Sequence, residues 1–128
     1  MEIREKTFYN EYVDNQDVYA ENFSMDEVVL RNVYKGTLLN GSVDNSNFTN
    51  NYLFSARNVE FEGTEFNEGF FSAYNCTFED CDFCDVIISL TNCFVKDCTA
   101  YNCFITLNSC FTDNFDMSEE NRNIVKYV

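Results

Sequence analysis

Residues 13–53 read VDNQD VYAEN FSMDE VVLRN VYKGT LLNGS VDNSN FTNNY L, and the first letter of every group is apolar. Those nine positions are Val13, Val18, Phe23, Val28, Val33, Leu38, Val43, Phe48 and Leu53, in a chain that is 45% hydrophobic. A run of that length against that background arises by chance about once in a thousand phases. The period returns at Phe61, Phe66, Phe71, Cys76, Cys81 and Val86, and again at Phe78, Phe83, Ile88, Cys93, Cys98 and Cys103. Its phase slips between Leu53 and Phe61 and between Phe71 and Phe78.

A five-residue period fits neither the 3.6 of an α-helix nor the 2 of a simple strand. It fits a chain that turns a corner after every five residues and sends one or two side chains of each stretch inward. Successive coils then stack at ~4.8 Å, the spacing of paired strands. Each rung buries its apolar side chains only because a neighbour covers them. Small residues recur two places before the central ones, as at Gly36, Gly41, Ser46, Cys76, Cys81 and Thr91. One place before the centre stand Asn22, Asn32, Asn47, Asp82, Asn92, Asp97 and Asn102, residue types that tolerate tight turns and bond nearby backbone. Between residues 91 and 111 two registers compete. Either Cys93, Cys98 and Cys103 are the centres, or they are the small residues of a frame centred on Val95, Ala100 and Ile105.

With Cys81-Asp82-Phe83 and Ser46-Asn47-Phe48 as its clearest units, the chain resembles a pentapeptide-repeat protein from about Val13 to Phe115. The resemblance implies an all-β fold, a right-handed quadrilateral β-helix with four pentads per coil, hence about five coils. Residues 1–12 are expected to cap the first coil and residues 116–128 to close the last one. The tail predicts a short C-terminal helix, with Asp116 and Glu119 at capping-box spacing and Met117, Ile124 and Val128 on one side. In family members with similar tails this segment also joins two copies, so a homodimer through it is a further expectation.

Several function classes are excluded or weakened by composition. The 128 residues hold 22 acids, 8 bases and no His, for a formal charge of −14. That sign opposes direct binding to nucleic acid or an anionic membrane. Absence of His removes the commonest general base and metal ligand. The aromatic fraction of 17% argues against disorder. Without His a Ser or Cys triad of the usual kind cannot be built, paired carboxylates would lack a cleft on a convex solenoid, no Gly-rich phosphate loop is present, and the expectation is a protein that is not an enzyme. The N-terminus MEIREKTFYNEY lacks a signal-peptide core, and the odd count of 7 Cys cannot close into a full disulfide set, so a reduced, cytoplasmic chain is expected. Cys81 and Cys84 form one CxxC without a second pair; core packing is favoured over a metal or redox centre, and no cofactor or metal is expected.

What remains is charge. Residues 13–115 carry 16 acids and 4 bases, and between Arg57 and Lys96 there is no base at all. At five coils of ~4.8 Å the body is ~24 Å long, over which duplex DNA carries about 14 charges. The family resemblance implies the same direction, since acidic members include DNA mimics that occupy the DNA site of gyrase. Acidic DNA mimics also recur among phage inhibitors of restriction and CRISPR nucleases. The candidate phosphate surrogates are Glu62, Glu65, Glu68, Glu79, Asp80, Asp82 and Asp85, with Phe54, Phe70 and Tyr74 as candidate exposed anchors. The expected partner is a protein with a basic nucleic-acid groove, such as a type II topoisomerase or a CRISPR or restriction nuclease. The competing expectation is an interaction scaffold whose acidity is only solubilising.

Overall fold

A computed structural model describes all 128 residues as one parallel 14-stranded sheet wound into a β-solenoid of about seven turns. Strand register gives the length of each coil. Val18 pairs with Gly36 and Gly36 with Phe54, 18 residues apart, whereas Phe54 pairs with Phe71, Phe71 with Ile88 and Ile88 with Ile105, 17 apart. Strands begin at Glu2, upstream of Val13, and Glu2–Arg4 and Thr7–Tyr9 pair with Val18–Asp26 as the first coil.

The corners are left-handed residues with φ near +55°. In the central coils they are Asn75, Asp80, Asp85, Asn92, Asp97 and Asn102, spaced five, five and then seven residues apart. Asn and Asp accept this conformation most readily among non-glycine residues. Each coil therefore has three sides: two short faces of five residues and one long face of seven or eight. The β-helix class holds, but the quadrilateral section and the count of about five coils do not. Pentads come in pairs, and the third stretch stays extended for two or three further residues before turning. Because 17 and 18 are not multiples of five, the five-residue phase drifts against the coil and slips where it meets an outward position of the long face. That slip explains Leu53, which lies outside while the other eight positions of the opening series are buried.

Side chains stack from coil to coil along three lines. Phe54 lies over Phe71, Phe61 over Phe78 and Phe66 over Phe83, with ring centroids 5.7, 4.9 and 5.0 Å apart and planes within 13°. Val, Leu, Met and Ile fill the coils toward the N-terminus, and Cys, Val, Ala and Ile those toward the C-terminus. Corner residues form ladders of their own. Asn58 donates to Asn40 at 3.1 Å, Asn75 to Asn58 at 2.6 Å, Asn50 to Asn32 at 2.7 Å and Asn102 to Asp85 at 2.6 Å.

The inward residue just after each corner solves a local problem. Its backbone N–H is buried and needs an acceptor, which the side chain one coil later supplies. Ser46 Oγ accepts from Val28 N–H at 3.1 Å, Asn51 Oδ1 from Val33 N–H at 3.0 Å, Cys98 Sγ from Cys81 N–H at 3.4 Å and Cys110 Sγ from Cys93 N–H at 3.5 Å. Cys93, Cys98 and Cys103 thus follow the corners Asn92, Asp97 and Asn102, and the frame centred on Val95, Ala100 and Ile105 is the one adopted. At Gly69, φ is +126° and an added Cβ would collide with the Asn51 carbonyl, so only glycine fits there.

The C-terminus departs from expectation. No α-helix forms; Glu119–Asn121 makes a single 3-10 turn and Ile124–Tyr127 is a strand. The open edge of the coil above competes successfully for these residues, because Phe104–Leu107 pairs with Ile124–Tyr127 in parallel register. Asn123 is buried and holds the junction, accepting from Cys103 N–H at 3.0 Å and donating to the Ala100 carbonyl at 2.9 Å. Ser118, not Asp116, stands at the cap of the turn, and Asp116 accepts from its N–H at 3.1 Å.

A candidate acidic interface on the two short faces

Stacking at one-coil intervals gathers carboxylates that are distant in sequence. On the first short face one outward column runs Asp26, Asp44, Glu62, Glu79, Lys96 and Asp113. On the second short face Glu65 stands directly above Asp82. Asp80 occupies the corner between these faces, and Glu68 and Asp85 occupy the corner where the second short face ends. All seven candidate acids thus lie within two adjacent coils, as the stacked pairs Glu62/Glu79, Glu65/Asp82 and Glu68/Asp85 with Asp80 between them.

Little inside the chain neutralises this surface. The ion pairs are confined to Arg4, which meets Glu2 and Glu21. Glu65 accepts from the Asn47 amide at 3.1 Å, Asp82 from the Thr99 hydroxyl at 2.6 Å and Asp85 from Asn102. Glu62, Glu68, Glu79 and Asp80 accept no side-chain hydrogen bond from within the chain. Further up the first column, Asp26 Oδ1 is buried without a hydrogen-bond partner. Burial, then the neighbouring charges of Asp26 and Glu60, push the Asp44 carboxyl above the usual carboxylate range. Neighbouring like charges ~5 Å apart repel by about 1 kcal/mol even in water.

The taller stack alters the comparison with duplex. Seven turns at ~4.8 Å make a rod of ~34 Å, over which DNA carries about 20 charges, so the mean charge density here is about seven-tenths that of duplex. Locally the relation reverses. Glu60, Glu62, Glu65, Glu68, Glu79, Asp80, Asp82 and Asp85 fall within two coils. That span is ~10 Å, in which duplex carries about six charges.

The long face is chemically opposite. From residue 33 down to residue 128, its six rungs, residues 33–39, 51–57, 69–74, 86–91, 103–108 and 123–128, contain no acid and the three bases Lys35, Arg57 and Lys126. Leu53, Phe70, Ile87, Phe104 and Ile124 form an exposed apolar column along it. Tyr34 and Tyr52 stack at 5.2 Å, and Arg57 lies 4.7 Å over the Tyr74 ring. Of the three candidate anchors, Phe70 and Tyr74 are exposed on this face, whereas Phe54 is buried in the core beneath it. Composition did not reveal this face, because its apolar residues are interleaved one by one with buried ones.

The thiols point elsewhere. Cys76, Cys93 and Cys110 share one inner column and Cys81 and Cys98 another, each 17 residues apart. Each also donates to the carbonyl two residues back, as Cys98 does to Lys96 at 3.2 Å. Hydrogen bonding to the stacked thiol, then burial, pushes the Cys81 and Cys93 thiols far up, so neither is a thiolate at neutral pH. No cluster of three or more Cys, Asp or Glu has the arrangement of a metal site.

Two trypsin-treated variants of QnrB1, a plasmid-mediated fluoroquinolone resistance protein, share this architecture. One superposes with a TM-score of 0.64 and 10% identity over 90% of this chain and 69% of that one. The other gives 0.58 and 11% over 100% of this chain and 84% of that one. The chain has the fold of a pentapeptide-repeat β-helix. At these identities the likeness extends to the fold alone. No protein-family model matches the chain, and no curated protein matches it in sequence.

Proposed function

We propose that this protein is a cytoplasmic DNA mimic that binds the nucleic-acid groove of a DNA-handling enzyme and thereby inhibits or protects it. The reading is supported above all by the base-free patch of Glu62, Glu65, Glu68, Glu79, Asp80, Asp82 and Asp85, stacked at one-coil intervals with almost no internal neutralisation. Such a patch costs folding stability through self-repulsion, and a cationic groove would offset that cost and accelerate encounter. The partner class is a type II topoisomerase, as the resemblance to gyrase-binding members implies, or a CRISPR or restriction nuclease of the kind that acidic phage inhibitors block. The chain acts by occupancy and not by catalysis.

The test is binding to purified DNA gyrase, a restriction nuclease and a CRISPR nuclease at low and high salt, with and without competing duplex. The seven-fold variant with each Glu changed to Gln and each Asp to Asn is expected to bind at least ~100-fold more weakly while remaining folded. Equal binding by a folded seven-fold variant would reject the proposal. The apolar long face favours a second reading, an interaction scaffold that docks by apolar contact; it predicts binding that is insensitive to salt and to these substitutions.

A further inference from the structure

We infer that two copies of this chain associate through their long faces, packed antiparallel about a two-fold axis near Phe70, independently of which enzyme the acidic faces meet. On the two short faces two copies would bring stacked carboxylates together. The long face is the one surface where a chain of −14 can meet itself without that repulsion, because from residue 33 onward its rungs hold no acid. It also exposes apolar surface in a continuous line: Phe70 is 51% exposed, Ile87 44%, Phe104 43% and Ile124 61%.

The dimensions suit a dimer. The seven rungs of the face from residue 16 to residue 128, each about seven residues wide, cover roughly 23 by 29 Å. Two such faces bury ~1,300 Å² in total, within the range of stable specific interfaces. The charges set the orientation. Residues 1–4 form the first rung of this face, where Arg4 neutralises Glu21; Asp17 lies on the second rung and Lys126 on the last. An antiparallel pair about Phe70 places Asp17 of one copy opposite Lys126 of the other at both ends, whereas a parallel pair would set acid on acid and lysine on lysine. Both acidic surfaces then remain outward, so one dimer presents two charged patches.

Sedimentation equilibrium of the full chain tests this, at concentrations up to ~100 µM and at low and high salt. A dimer at least as tight at high salt is expected, because screening removes repulsion more than it removes apolar burial. Phe70→Glu with Ile87→Glu should give monomers with an unchanged β-sheet circular dichroism spectrum; should that pair misfold, Ser72→Arg at the centre of the face serves the same purpose. Lys126→Asp should weaken association about tenfold, and adding Asp17→Lys should restore it. A wild-type chain that stays monomeric at both salt concentrations overturns the inference, as does a dimer that survives these face substitutions. A dimer that the charge swap leaves untouched overturns the antiparallel arrangement.

Discussion

The short faces and the long face of this solenoid are built over one core by one backbone pattern, yet their outer surfaces share almost nothing. The short faces run five residues between Asn or Asp corners and carry the carboxylates. The long face runs seven or eight residues, carries apolar and hydroxyl side chains, and from residue 33 onward holds no acid. Within a β-helix the core fixes only the inward positions, so each face is free to take its own chemistry. On the proposals made above, the difference separates two tasks: charge for meeting a cationic groove, and apolar surface for a contact in which charge would be unfavourable.

The two kinds of face should differ most in how they tolerate changes of length. Deleting Glu60 from a five-residue stretch swaps inward and outward side chains and should abolish folding, read as loss of the β-sheet spectrum and of soluble expression. Deleting Leu53 converts the eight-residue spacing between corners Asn50 and Asn58 to the seven-residue spacing already present between Glu68 and Asn75, and should cost less than ~1 kcal/mol in denaturant unfolding. If both deletions were equally damaging, the three-sided reading would fail.

The core beneath should not distinguish the faces. Phe71, under the long face, and Phe78, under the first short face, are both buried. Replacing either by Ala should cost about 3–5 kcal/mol, measured by urea unfolding, and the two costs should be similar. At the corners the effects are smaller and depend on chemistry. Cys98→Val leaves the buried Cys81 N–H without an acceptor and should cost about 1–3 kcal/mol. Cys98→Ser keeps an acceptor and should cost clearly less. The reverse order would mean that Cys98 serves only as an apolar filler.

The smallest effect is a dependence on pH. Burial and the charges of Asp26 and Glu60 raise the Asp44 pKa in the folded state, so its ionised form opposes folding. That penalty is absent in acid and appears as the pH rises through the folded pKa. Asp44→Asn should therefore raise the melting temperature at neutral pH by about 1–3 °C, with the gain vanishing in the acid range. An equivalent neutralisation on the long face is impossible from residue 33 onward, since nothing there is acidic.

Much of this architecture is legible in the residues, and the parts that are not have physical causes. The five-residue phases are nearly all buried, because inward positions recur at that interval within each pair of short faces. The length of a coil is hidden because the long face also alternates apolar residues, so its two or three extra positions look like a phase slip. The signal that gives it away is Asn75-Cys76, Asn92-Cys93 and Ser109-Cys110, with Asp80-Cys81 and Asp97-Cys98, all at intervals of 17. The seven acids are recognisable as a base-free run, but their pairing as Glu62/Glu79, Glu65/Asp82 and Glu68/Asp85 depends on that interval. The C-terminal helix fails for a different reason: local capping chemistry at Asp116 is outweighed by an unpaired strand edge, which no local pattern records.

The claim that matters most is that stacked carboxylates on the short faces stand in for phosphates. It is tested most directly by titrating the chain against DNA gyrase, a restriction nuclease and a CRISPR nuclease, each preloaded with fluorescent duplex, at several salt concentrations. The account predicts that at least one enzyme releases its duplex as the chain binds, that this competition weakens steeply with salt, and that the seven-fold Gln and Asn variant loses it. Duplex and chain bound together on every enzyme, or displacement undiminished in the folded seven-fold variant, would contradict it.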